Sequence, residues 1–138
     1  MLKSVKVSDY MTRKLITFTE DMDLFEAIRV FSETQVSGAP VTDNNGQLIG
    51  IMSEVDCLRG ILDKTYHEEE VGGTVGEFMT RTVDTVDANT DIIAVAEQFI
   101  HRGRRRIPVV EDGKLVGQVS RKDILRAVND FVTNGSKA

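Results

Sequence analysis

The sequence predicts a mixed fold, α/β in the broad sense (α+β), built from two tandem β-α-β-β-α units, and three observations carry that prediction. The chain repeats itself at a nearly constant offset. Each copy holds a segment with apolar residues at i, i+3, i+4 and i+7. Each copy then holds two apolar runs joined by an Asn-Gly or Asp-Gly turn, the strongest short hairpin signal.

The repeat begins where Val7-Ser8-Asp9-Tyr10-Met11-Thr12-Arg13 aligns with Val75-Gly76-Glu77-Phe78-Met79-Thr80-Arg81, 68 residues later. The same offset pairs Thr17 with Thr85, Asp23 with Asp91, Phe31 with Phe99 and Pro40 with Pro108. The turn Asp43-Asn44-Asn45-Gly46 shortens to Glu111-Asp112-Gly113. From there the offset is 67, pairing Gly50 with Gly117, Ser53 with Ser120 and Asp56 with Asp123.

Taken in order, each copy opens on a short extended segment rich in threonine (Ile16-Thr17-Phe18; Thr85-Val86). An amphipathic helix follows on Leu24, Ala27, Ile28 and Phe31, matched by Ile92, Val95, Ala96 and Phe99. Its starters are read as Asp21 and Asp23 in copy one, and Asn89 and Thr90 in copy two. The hairpin comes next (Ala39-Pro40-Val41 with Leu48 to Met52; Ile107 to Val110 with Leu115 to Val119). A second helix starts after Ser53 or Ser120. The expected boundaries are 1–62 for the first repeat, 63–74 for a linker, 75–133 for the second repeat and 134–138 for a flexible tail. The cluster Gly72-Gly73-Thr74-Val75-Gly76 lacks the Gly-Lys-Ser/Thr ending of a phosphate loop and is read as linker. Each unit of about 60 residues buries little surface alone. The copies are therefore expected to share one core and to form a homodimer, using apolar helix faces that include Leu125, Val128, Phe131 and Val132.

Composition narrows the function. The chain has 138 residues, 41% hydrophobic and 28% charged, so it can bury a core. Net charge is −5, which argues against nucleic acid as a partner. Residues 1–70 carry −6 of that and residues 71–138 carry +1, so the second copy is the friendlier to an anion. No run approaches the roughly 20 apolar residues of a membrane span, the start lacks the apolar run of a signal peptide, and Cys57 has no disulfide partner. A cytoplasmic protein with no membrane partner is expected. His67 and His101 lack metal-spaced partners, Cys57 reads as a buried thiol, and Met11, Met22, Met52 and Met79 read as core or cleft fillers. No Ser-His-Asp arrangement or phosphate loop is present, so no enzyme, metal or catalytic cofactor is expected.

The candidate chemistry lies in Ser53-Glu54-Val55-Asp56 and Ser120-Arg121-Lys122-Asp123. Ser and Asp three apart make a capping box at a helix start. A carboxylate also matches the two hydroxyls of a ribose, because it only accepts, and the free N–H groups at a helix start favour a phosphate. The two readings are compatible. Ahead of the prolines stand Ser37-Gly38-Ala39 in copy one, small enough to admit a base, and Arg105-Arg106-Ile107 in copy two. The arginines are either a solvated edge or a phosphate contact.

In this order the motifs resemble the CBS domain, named after cystathionine beta-synthase. Two copies resemble a CBS pair, or Bateman module, of the stand-alone bacterial type, over about residues 5–130. The resemblance implies pseudo-twofold packing of the copies, two clefts, and a disc-shaped dimer. It also implies binding of AMP, ADP or ATP, or of S-adenosylmethionine or NAD, and regulation of a partner not identified by the sequence. It favours the ribose role for Asp56 and Asp123, and a phosphate role for Ser53, Ser120, Arg105 and Arg106. Lys14, Ile16, Thr82 and Val83 fall on the family's adenine-facing first strand. The alternative is a constitutive dimerisation module with degenerate clefts.

Overall fold

The computed structural model describes residues 1–135; the end of the expected tail, 136–138, lies outside the described residues. The chain divides into two compact units. One comprises Ile16–Val83, and the other comprises Met1–Leu15 with Asp84 onward. Each unit thus combines the helices and hairpin of one copy with the Met-Thr leader of the other.

In the unit Ile16–Val83, helix α1 (Leu24–Glu33) precedes strands β1 (Gly38–Thr42) and β2 (Leu48–Ser53), which pair antiparallel. Helices α2 (Glu54–Tyr66) and α3 (Val75–Phe78) follow. The hairpin turns where Asp43 Oδ1 accepts the Asn45 and Gln47 N–H groups and Gly46 takes a positive φ of 80°. The expected strand at Ile16-Thr17-Phe18 shrinks to a single parallel bridge, Phe18 to Val41. Phe18 is buried in the core while Ile16 and Thr17 face solvent, so only Phe18 is anchored against β1. The expected linker is partly structured: α2 runs through Tyr66, and the Gly73 carbonyl accepts the Leu24 N–H at 2.9 Å.

In the other unit, β3 (Val86–Asp87) runs parallel to β4 (Arg106–Glu111), which pairs antiparallel with β5 (Lys114–Ser120). Helix α4 (Ile92–Arg102) lies between β3 and β4 in the chain, and α5 (Arg121–Gly135) follows β5, continuing through Asn134 and Gly135. The cap of α4 is Asp91 and not Asn89 or Thr90. Its side chain accepts the Ile93 and Ala94 N–H groups, whereas Asn89 is held in the preceding turn by Asp87. In α1 the corresponding cap is Asp23, with Asp21 bonded instead to the Thr19 hydroxyl.

The buried apolar residues form two clusters, one per unit, rather than the single core expected. Leu24, Ala27, Phe31, Val41 and Met52 gather around Phe18 in one, and Ile92, Val95, Ile107, Val109 and Val119 gather in the other. The exchanged leaders supply the missing surface: Val75 and Met79 complete the first cluster, while Val7 and Met11 serve the second. Each leader sits by a backbone pair, Thr80 with Ile51 at 2.8 Å both ways, and Thr12 with Gln118 at 2.8 and 2.9 Å. The approach is close enough to demand glycine. A Cβ on Gly50 would stand 2.8 Å from the Thr80 carbonyl oxygen, and one on Gly117 would stand 2.6 Å from Met11 Sδ.

Candidate functional site

Both Ser/Asp junctions fold as capping boxes, each at the point where a hairpin strand enters a helix. At the start of α5, the Ser120 N–H donates to Asp123 Oδ2 at 2.8 Å and the Ser120 hydroxyl donates to the same oxygen at 3.1 Å. The Asp123 N–H donates back to Ser120 Oγ at 3.3 Å. Asp123 Oδ1 meets Arg126 Nη2, at 3.4 Å, and has no other hydrogen-bond partner among the described residues.

At the start of α2 the same box forms between Ser53 and Asp56, with bonds of 2.9, 3.0 and 3.1 Å. Asp56 has more partners than Asp123. The Thr80 hydroxyl donates to its Oδ1 at 3.2 Å, and Arg59 approaches the same oxygen at 3.8 Å. Asp56 is 4% exposed and is the one charged residue buried among the described residues. Next to it, burial pushes the Cys57 thiol up from its ordinary value, and the Asp56 and Glu54 charges push the same way.

The strand residues ahead of the prolines reach these junctions through the hairpin. Gly38 stands opposite Ser53 and Arg106 opposite Ser120 in the antiparallel register, so each pair shares a face. The Ser37 carbonyl accepts the Glu54 N–H at 3.1 Å, and the Arg105 carbonyl accepts the Arg121 N–H at 3.4 Å. Ser37, Gly38, Ala39, Ser53 and Asp56 thus gather in one unit, and Arg105, Arg106, Ile107, Ser120 and Asp123 gather in the other. Ala39 and Ile107 are buried and turn into their cores. Ile16 and Val83 are the first and last residues of the unit Ile16–Val83, with Ile16 39% exposed. Lys14 and Thr82 are exposed.

The arginine run divides. Asp84 pairs with both Arg102 and Arg104, which leaves Arg105 and Arg106 exposed and outside every ion pair among the described residues. Two contributors escaped the sequence reading, Thr80 at Asp56 and Arg126 at Asp123. Arg126 also stacks 5.3 Å from the Tyr10 ring centre and donates to the Tyr10 carbonyl, and the Tyr10 hydroxyl donates to Asp130 at 2.9 Å. The Met-Thr repeat was the available signal for Thr80. A groove of about 200 Å³ between α1 and α2, lined by Ile28, Phe31, Cys57, Leu58 and Ile61 among others, holds none of the predicted site residues.

The CBS domain family model matches the chain twice, at residues 7–63 and 75–130. Uncharacterized protein MJ1225 of Methanocaldococcus jannaschii is 35% identical over 129 residues, 93% of this chain and 45% of that protein. The chain spans less than half the length of several curated relatives that it matches. Among solved structures, Arabidopsis thaliana CBSX2 in complex with AMP superposes with a TM-score of 0.78 at 30% identity, covering 92% of this chain and 98% of that one. The CBS domain pair of protein MJ0100, in complex with 5-methylthioadenosine and S-adenosyl-L-methionine, gives a TM-score of 0.70 at 25% identity, covering 91% and 97%. The duplicated β-α-β-β-α order, the paired Ser/Asp junctions and both family matches place this chain in the CBS domain family, of which it carries two domains in tandem.

Proposed function

We propose that the chain is a regulatory module that binds an adenine nucleotide of the AMP, ADP or ATP type and passes the bound state to a partner protein. The observation that carries this reading is the Ser120/Asp123 junction: one carboxylate oxygen is fixed by the cap, and the other keeps, among the described residues, a single long bond to Arg126. A carboxylate so oriented accepts from a ribose hydroxyl without dismantling its own support. The AMP complex of CBSX2 and the adenosine-derivative complexes of the MJ0100 pair support the ligand class. The role is non-catalytic and cytoplasmic in this reading, with neither nucleic acid nor membrane as partner. A thermal-shift screen with AMP, ADP, ATP, S-adenosylmethionine and NAD tests it. A ligand at 100 times its dissociation constant adds about 2.7 kcal/mol to stability, so a binder raises the midpoint visibly. No shift with any of the five overturns the proposal.

The alternative, a constitutive dimerisation module, draws on copy one. Both Asp56 oxygens are occupied by the chain itself, and Ser37 and Gly38 bring no charge. Either reading uses a homodimer. On α2 the exposed residues Val55, Leu58, Leu62 and Tyr66 recur at helical spacing, and α5 exposes Leu125 and Val132. Val128, also expected on that face, packs against its own core. Light scattering that returned the monomer mass at all concentrations, with and without AMP, excludes the dimer.

A further inference from the structure

The first turn of α5 breaks a rule that the first turn of α2 obeys. A helix N-terminus carries partial positive charge, so carboxylates stabilise it and cations do not. Helix α2 opens Glu54-Val55-Asp56, whereas α5 opens Arg121-Lys122-Asp123. Arg121 and Lys122 are exposed, and no ion pair among the described residues includes them. The same holds for Arg105 and Arg106, which the hairpin brings to this junction: Arg105 bonds Arg121 through the backbone, and Arg106 stands opposite Ser120. Cations gathered from a strand and a helix start, against the local preference of that helix, mark a place where stability is yielded to an anion.

Copy one supplies the internal contrast. The six positions Arg105, Arg106, Ser120, Arg121, Lys122 and Asp123 carry a formal charge of +3, and their counterparts Ser37, Gly38, Ser53, Glu54, Val55 and Asp56 carry −2. We infer that the α5 junction selects its ligand by phosphate number, with Arg121 and Lys122 extending the Arg105-Arg106 contact to the outer phosphates of a nucleoside di- or triphosphate. The α2 junction, with Glu54 and no cation at the matching positions, disfavours a phosphate chain. This rests on the proposed nucleotide-binding reading and adds to it the ligand class of the α5 junction.

The test is calorimetry on the full chain, in EDTA and low salt, with ATP, AMP, adenosine and tripolyphosphate as probes. The wild type is expected to bind ATP about tenfold more tightly than AMP, through charge-assisted bonds to the added phosphates. Replacing Arg121→Glu and Lys122→Val, the residues that α2 itself uses, should bring ATP within about twofold of AMP while the melting temperature holds or rises. The reverse exchange, Glu54→Arg with Val55→Lys, should strengthen ATP binding further. AMP and adenosine binding without any gain for ATP overturns this inference alone, as does a gain that survives in the Arg121/Lys122 variant. Tripolyphosphate binding as tightly as ATP and indifferent to Asp123→Ala reduces the cluster to a general anion patch, which also overturns it. If none of ATP, AMP and adenosine binds, the nucleotide-binding reading itself fails.

Discussion

Ser120 and Asp123 bond each other in both directions, the serine N–H and hydroxyl onto Asp123 Oδ2 and the aspartate N–H onto Ser120 Oγ. Ser53 and Asp56 repeat the arrangement, but Asp56 is also held by Thr80 and is the more deeply buried. The two carboxylates therefore carry different structural loads. Asp56→Ala should cost about 2–3 kcal/mol, because it strands hydrogen-bond donors beside a buried site. Asp123→Ala should cost about 1 kcal/mol, the loss of a helix cap. Urea unfolding with an unchanged slope measures both, and equal losses would refute the distinction.

The leaders make a second prediction. Gly50→Ala drives a Cβ against the Thr80 backbone oxygen, and Gly117→Ala drives one against Met11 Sδ and, at 2.9 Å, the Thr12 oxygen. A backbone carbonyl cannot swing aside as a side chain can, so each substitution should destabilise by about 1–3 kcal/mol. Gly38→Ala, whose Cβ would lie 3.6 Å from the nearest atom, is the control and should stay within about 0.5 kcal/mol of the wild type. Urea midpoints that did not separate Gly38 from the other two would contradict the seating of the leaders.

Tyr10 gives a pH dependence. Its hydrogen bond to Asp130, then burial of the hydroxyl, then the Asp130 charge raise its pKa above the ordinary 10.0, with Arg126 pulling the other way. The folded state thus holds the phenol proton more tightly than the unfolded chain. The stabilisation is fully present below pH 10 and is lost as pH rises through the higher folded-state value. Tyr10→Phe should flatten that alkaline loss, read from urea midpoints across the range and from tyrosinate absorbance. An unchanged alkaline limb would show that the Asp130 bond does not form in solution.

Much of this was legible in the sequence because hydrophobic spacing and turn residues are local signals. Leu24, Ala27 and Phe31 and their counterparts Ile92, Val95 and Phe99 are buried as their spacing requires, and both hairpins turn where Gly46 and Gly113 stand. The exchange of leaders was not legible. Two copies built on one pattern offer either leader, Met11-Thr12 or Met79-Thr80, an equally complementary strand, and the internal repeat cannot say which is used. The same blindness hid Thr80 from the Asp56 site. Charge pairing was also invisible: Arg102, Arg104, Arg105 and Arg106 stand within five residues, and only the fold reveals that Asp84 engages Arg102 and Arg104 and leaves the other two outside every ion pair among the described residues.

Those free arginines carry the fourth prediction. AMP should bind about tenfold more tightly than adenosine, and Arg105→Ala with Arg106→Ala should erase the difference while adenosine binding survives. Raising salt should weaken AMP and spare adenosine, since screening acts on the charged contact. Equal affinities for AMP and adenosine in the wild type would make the arginines a solvated edge.

The most direct measurement is calorimetric titration of AMP into the wild type, Asp56→Ala, Asp123→Ala and the double variant. If Asp123 Oδ1 holds the ribose, Asp123→Ala weakens AMP by about a hundredfold, the worth of a charge-assisted bond of about 2.7 kcal/mol, while the chain remains folded. Asp56→Ala, acting on a carboxylate already engaged by Thr80, has the smaller effect on AMP. Wild-type affinity in all three variants would contradict the account.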